Sequence, residues 1–160
     1  MDISQSSLDN RTIFVQQFQK WIRDNRPAKG GDDFFQFVEI YLQRFPLDEW
    51  VGRHFSDLYG LCFGLFLYLK REPLGAPNIS VFNPSLDEHG WQCGRSVIFI
   101  QQKDMPFLVD SVRIALNRRE VPIYVVKSTV LNIERKAGGV KTSLSGGASA
   151  TNGSREALMY

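Results

Sequence analysis

Apolar side chains recur through the first half of the chain at the spacing of a helix face turned toward a core. After Asp9 and Asn10, the positions Phe14, Val15, Phe18, Trp21 and Ile22 predict a first helix, stopped by Asn25-Arg26-Pro27 and Gly30-Gly31. Asp32 or Asp33 is the expected cap of a second helix, with Phe34, Phe37, Val38, Tyr41, Leu42 and Phe45 on one side and Pro46 at its close. A turn over 47–53 leads to a third, with Ser56 as expected N-cap and Leu58, Leu61, Cys62, Leu65, Phe66 and Leu69 as its face. Three amphipathic helices joined by short connections predict a small helical bundle over residues 1–75.

The pattern changes at Pro73-Leu74-Gly75-Ala76-Pro77. Ile79-Ser80-Val81-Phe82 reads as a short strand, and Asn83-Pro84 turns out of it. Residues 85–94 are expected to be an ordered loop anchored by Trp91. Val97-Ile98-Phe99-Ile100 has the near-continuous apolar character of a strand buried on both faces. Asp104 is the expected cap of a helix with the face Leu108, Val109, Val112, Ala115 and Leu116, ending in Asn117-Arg118-Arg119. Pro122 opens a long strand, Ile123 to Glu134, completing a βαβ-like unit over residues 76–135 whose helix covers one sheet face. Residues 136–160 read as a Gly/Ser-rich flexible loop followed, near Leu158, by the start of another strand. The fold class is α+β. A half-finished sheet predicts self-association through its edges, or a disordered tail.

Composition narrows the partners. The 160 residues carry 19 basic and 17 acidic side chains, too even a balance to call for nucleic acid or an anionic membrane. The longest apolar run, Leu58 to Leu69, falls well short of the roughly 20 residues that span a bilayer. The opening Met1-Asp2-Ile3-Ser4-Gln5 lacks a signal-peptide pattern. Two cysteines, Cys62 and Cys93, are too few for a disulfide scaffold and fit a reducing compartment, so the cytoplasm is expected.

Candidate chemistry is sparse. Gly138-Gly139 and Gly146-Gly147 sit in low-complexity sequence, not between a strand and a helix, so they make no dinucleotide fingerprint. Asp87, Glu88, His89 and Cys93 include metal-capable groups, but a site needs three or four convergent ligands and His54 is the one other histidine. Ser111 follows Asp110 with no neighbouring histidine, and the pairs Asp32-Asp33 and Asp48-Glu49 sit where helix starts explain them. No catalytic, cofactor-binding or metal set is legible. The turn Asp104-Met105-Pro106-Phe107-Leu108 is the remaining candidate. It joins a strand to a helix start, where backbone N–H groups suit a carboxylate or other small anion, with capping by Asp104 as the competing account.

Asp104-x-Pro106-x-Leu108-x-x-x-Val112 resembles the ACT domain, a ferredoxin-like βαββαβ module that commonly senses amino acids. With Asp57-Leu58-Tyr59-Gly60, Val81-Phe82-Asn83-Pro84, Glu88-His89-Gly90-Trp91, Asp110-Ser111-Val112 and Leu116-Asn117-Arg118-Arg119, the chain is similar to the amino-terminal region of the large bacterial NAD-dependent glutamate dehydrogenases. That resemblance implies a helical segment followed by a truncated, partial ACT-like module. The parent would be an oxidoreductase that converts L-glutamate to 2-oxoglutarate with NAD in amino-acid catabolism. By the same resemblance the fragment is non-catalytic, holds no cofactor itself, and serves regulation and assembly. Its implied partners are the remainder of the same polypeptide, further copies in a homo-oligomer through the sheet or helices, and a small amino-acid effector at Asp104–Leu108. Asn83, Pro84, Glu88, His89, Gly90, Trp91, Asp110, Asn117, Arg118 and Arg119 become structural signature positions. One position departs from the ACT pattern: glycine usually follows the proline, and here Phe107 does, which favours an interface over an effector site. An RNA-binding module is the remote alternative, with Phe99 and Tyr124 its only stacking candidates.

Overall fold

Uninterrupted stretches without proline or glycine set the first helix. α1 spans Ile3–Asn25, starting ahead of the expected point after Asp9 and Asn10 because nothing in that stretch breaks a helix. This computed structural model describes residues 3–26, 31–71, 76–136, 139–145 and 154–160. α2 covers Gly31–Gln43; Asp32 and Asp33 stand inside its first turn, where their charge suits the positive end of the dipole, instead of capping it. A 3₁₀ turn at Leu47–Glu49 leads to α3, Phe55–Leu69. Ser56 is therefore not its cap: the His54 carbonyl accepts the N–H of Asp57 and of Leu58, each at 3.1 Å, and Ser56 lies within the helix.

The chain divides into two compact units. The first comprises Met1–Leu67 and Pro84–Cys93. Its core is aromatic: Phe18, Phe34, Phe37, Tyr41, Trp50 and Phe66 are all buried, with Ile22, Leu58, Leu61, Cys62 and Leu65 between them. The Phe34 ring lies 5.9 Å from Tyr59, 5.4 Å from Phe63 and 5.3 Å from Phe66, each pair adding roughly 0.5–1.5 kcal/mol beyond area burial. Within residues 85–94, expected as a loop, a one-turn helix α4 forms at Leu86–His89. Ser85 Oγ accepts the Glu88 N–H at 3.3 Å, and Gly90, at φ +72°, reverses the chain. Trp91 is the buried anchor of this segment. A Cβ on Gly60 would lie 2.6 Å from the Trp91 Cβ and Cδ1, so α3 admits the indole because residue 60 has no side chain.

The second unit comprises Tyr68–Asn83 and Gly94–Tyr160. Its sheet contains β1 (Asn78–Phe82), β2 (Val97–Lys103), β3 (Ser128–Lys136), β4 (Gly139–Ser145) and β5 (Ser154–Met159), in the order β1-β2-β5-β3-β4. All four pairings are antiparallel. β2 and β3 therefore run parallel with β5 between them, and α5 (Leu108–Asn117) connects them as a split βαβ unit. The chain is α+β, consistent with an ACT-like fold.

Three expectations are corrected here. The long strand drawn from Ile123 begins only at Ser128, because its ladder with β5 starts at the Ser128↔Met159 pair. Ahead of it, Lys127 and Tyr160 exchange both backbone bonds, while Pro122 lacks an N–H and Tyr124 and Val125 are exposed. Residues 139–145, expected as loop, form β4. Val140, Thr142 and Leu144 alternate there with Lys141, Ser143 and Ser145, a strand period, and pairing with β3 satisfies the backbone. The remaining loop positions 137–138 and 146–153 lie outside the described residues. Ala115, placed on the covered face of α5, is exposed; Leu108, Val109, Val112 and Leu116 are half-buried, and no residue of α5 is fully buried.

Both sheet faces bury side chains, with Ile100, Ala157 and Met159 on one of them. Phe99, Gln101, Leu158, Thr129, Leu131 and Ile133 share the other by register and are all buried. Gln101 Nε2 donates to Glu156 Oε2 at 2.8 Å and reaches the carbonyls of Leu69 and Arg71 at 3.4 and 3.5 Å. Ser154 Oγ donates to Glu156 Oε1 at 2.7 Å, so a carboxylate buried beside β2 keeps the hydrogen bonds its burial demands. Among the described residues no helix is long and apolar enough to cross a membrane.

Candidate functional site

The turn from β2 into α5 is where the candidate residues fall. Asp104 continues the β2–β5 ladder beyond the Lys103↔Glu156 pair: its N–H donates to the Arg155 carbonyl at 2.8 Å. Its Oδ2 lies 3.0 Å from Arg155 Nη2. Asp104 is thus tied to β5 and does not cap α5. The cap position belongs to Phe107, whose side chain makes no capping bond.

Phe107 has φ +61° and ψ +17°, the left-handed region that glycine occupies freely and other residues enter at a cost of about 1 kcal/mol or more. The backbone of the turn therefore takes the shape a glycine would give it, although the residue is phenylalanine. Phe107 is 77% exposed. Met105 is also exposed, Pro106 lies at the surface, and Leu108, the first residue of α5, is half-buried.

The signature positions do local work in both units. His89 Nδ1 accepts the Ser85 N–H at 3.3 Å, so Ser85, Glu88, His89 and Gly90 build one capped turn that delivers Trp91 to Gly60. Pro84 is buried, and Asn83 Oδ1 accepts the Ser96 hydroxyl at 2.7 Å. Asp110 stands exposed in the first turn of α5 and Asn117 at its last position. The Arg118 N–H closes on the Ile114 carbonyl at 3.0 Å, and Arg119 Nη1 donates to the Ala115 carbonyl at 3.1 Å.

Among the described residues no three His, Cys, Asp or Glu side chains converge to hold a metal ion. The turn Lys103-Asp104-Met105-Pro106-Phe107 contains no glycine for close approach of a pyrophosphate. Burial pushes the Cys62 thiol far up, against the opposing pull of Arg53, so it is no nucleophile at neutral pH. Burial likewise raises the Tyr59 hydroxyl, with Arg26 acting in the other direction.

Sequence reading missed Arg155 as the partner of Asp104, and Gln101 as the partner of Glu156. A polar residue continuing the apolar run of β2 was the available signal for Gln101; nothing local announces Arg155.

The family model "Glutamate dehydrogenase, ACT1 domain" matches residues 37–160. The NAD-specific glutamate dehydrogenase of Pseudomonas aeruginosa is 34% identical over 152 residues, covering 94% of this chain and 9% of that protein. The NAD-specific glutamate dehydrogenase of Halomonas elongata is 36% identical over 125 residues, 78% of this chain and 8% of that protein. No solved structure matches the chain with significance. The chain spans less than a tenth of the length of these relatives. With the ACT-like strand order and the matched residues together, the chain belongs to the glutamate dehydrogenase ACT1-domain family.

Proposed function

We propose that this chain is a non-catalytic assembly and regulatory part of an NAD-dependent glutamate dehydrogenase. In this reading the remainder of the same polypeptide binds NAD and deaminates L-glutamate to 2-oxoglutarate. The observation that carries it is that 94% of the chain matches only 9% of a much longer NAD-specific glutamate dehydrogenase, with residues 37–160 matching the ACT1-domain model, in a segment whose candidate turn is built from structural bonds. The protein works in the cytoplasm, where Cys62 and Cys93 stay reduced. The test is an absorbance assay of the 160-residue chain with glutamate and NAD. The expected result is no NADH formation, and measurable turnover would overturn the assignment.

A second reading, an amino-acid effector at Asp104–Leu108, is favoured by the glycine-like backbone at Phe107. It is opposed by Asp104, whose carboxylate and N–H both engage Arg155, leaving a ligand to displace that ion pair. Calorimetry with a panel of amino acids at millimolar concentration separates the two: silence is expected, and saturable heat that disappears in Asp104→Ala would establish the effector site instead. The RNA-binding alternative loses its platform, because Phe99 is buried in the sheet core and Tyr124 stands outside any strand.

A further inference from the structure

The solvent side of α5 carries an unusual stripe. Phe107, Ile114 and Val121 are 77%, 51% and 43% exposed, on the side away from the half-buried Leu108, Val109, Val112 and Leu116. Asp110 and Arg118 lie between them, both exposed. Neither side chain has a bonded partner among the described residues. At about 100° per residue Asp110, Ile114 and Arg118 fall along one side of the helix, while Phe107 immediately precedes it and Val121 follows it. Val121 stands just past its end, where the left-handed Glu120 lets the Val121 N–H close on the Leu116 carbonyl at 3.1 Å.

The stripe is symmetric. Asp110 and Arg118 lie four residues on either side of Ile114, and Phe107 and Val121 lie seven. The charges are opposite and the outer residues both apolar, so the sequence of chemical types is its own complement when reversed.

We propose that this stripe is a two-fold interface with a second copy of the chain, the two α5 helices crossing antiparallel at Ile114. That arrangement stacks Ile114 on its own image, sets Phe107 against Val121 of the other copy, and pairs Asp110 with Arg118 twice. The helix dipoles oppose, which favours antiparallel contact. An isologous contact needs a patch complementary to itself, and the stripe meets that condition in both charge and apolarity. Phe107 supports the same conclusion: it holds a costly left-handed backbone while its ring contributes nothing to the core, a combination that brings no benefit to an isolated copy. One helix pair buries less than the roughly 800 Å² per partner of a standard interface, so the dimer is weak and salt-sensitive by itself.

The inference deepens the assembly reading above and rests on it. Sedimentation equilibrium of the 160-residue chain up to about 500 µM tests it. Dimer formation is expected, with Asp110→Arg and Arg118→Asp each weakening it at least about tenfold by placing like charges opposite one another. An equimolar mixture of the two variants, and the double variant D110R/R118D, recover wild-type affinity within about threefold, because opposite charges face again. Circular dichroism confirms that each variant folds. Single variants that dimerise like wild type, or a mixture that fails to recover, would overturn this interface while leaving assembly through another surface intact. A chain that stays monomeric throughout overturns it as well. The glutamate assay and amino-acid calorimetry are indifferent to these surface charges and judge the parent reading separately.

Discussion

Gly60 and Trp91 show how little of a residue's role lies in its own type. Alanine is the better helix former by about 1 kcal/mol, so Gly60→Ala in α3 would be stabilising were the helix alone. The added methyl would lie 2.6 Å from Cβ and Cδ1 of the buried Trp91. The substitution is expected to lower stability by a net of about 2 kcal/mol in urea titration, and a neutral result would mean the indole can move aside. Phe107→Gly acts in the opposite sense: it relieves the left-handed backbone and should raise the stability of the monomer by about 1 kcal/mol, read as a higher urea midpoint. Cys62 and Cys93 part by burial. One thiol, Cys93, is exposed and should react with Ellman's reagent in the native chain, and Cys62 only after unfolding.

Elements follow from local pattern where one face is buried and drift where it is not. Apart from the early start of α1 at Ile3, helices α1 to α3 and strands β1 and β2 sit within a few residues of the apolar periodicity, because a core on one side enforces it. α5 was legible as a helix from Leu108 to Asn117, yet its start was misattributed. Asp104 has the right type for a cap, but β5 reaches it first through Arg155, a competitor invisible to any local window. The same strand reaches Gln101 through Glu156. Gln101→Leu removes a donor from a buried carboxylate and is expected to cost about 2 kcal/mol or more despite the gain in apolarity. The Gln101→Leu/Glu156→Leu pair should recover much of that loss; a double variant as unstable as the single one would show that the polar pair is required in itself.

At the scale of the whole molecule, proton linkage provides a global readout. The Cys62 thiol and Tyr59 hydroxyl both sit above their ordinary values, 9.0 and 10.0, because burial disfavours their charged forms. The unfolded chain therefore releases these protons first. Their contribution to stability is complete below those ordinary values and is lost as pH rises through them, Cys62 accounting for up to about 1.4 kcal/mol per pH unit above pH 9. Urea midpoints should fall steeply between pH 9 and 11, and Cys62→Ala should flatten that slope; an unchanged slope would place the titration elsewhere.

The sequence by itself determined the α+β class, the aromatic helical unit, the turn at Asp104–Leu108 and, through its quoted motifs, the family. These depend on residues near one another in the chain, where periodicity and turn chemistry act directly. Only the tertiary structure decided that β5 enters between β2 and β3, that Asp104 bonds Arg155 instead of capping a helix, that Gly60 makes room for Trp91, and that Phe107 faces solvent. Each of those outcomes turns on which distant segment arrives beside a residue, and the free energy of that meeting belongs to both segments and is written in neither alone.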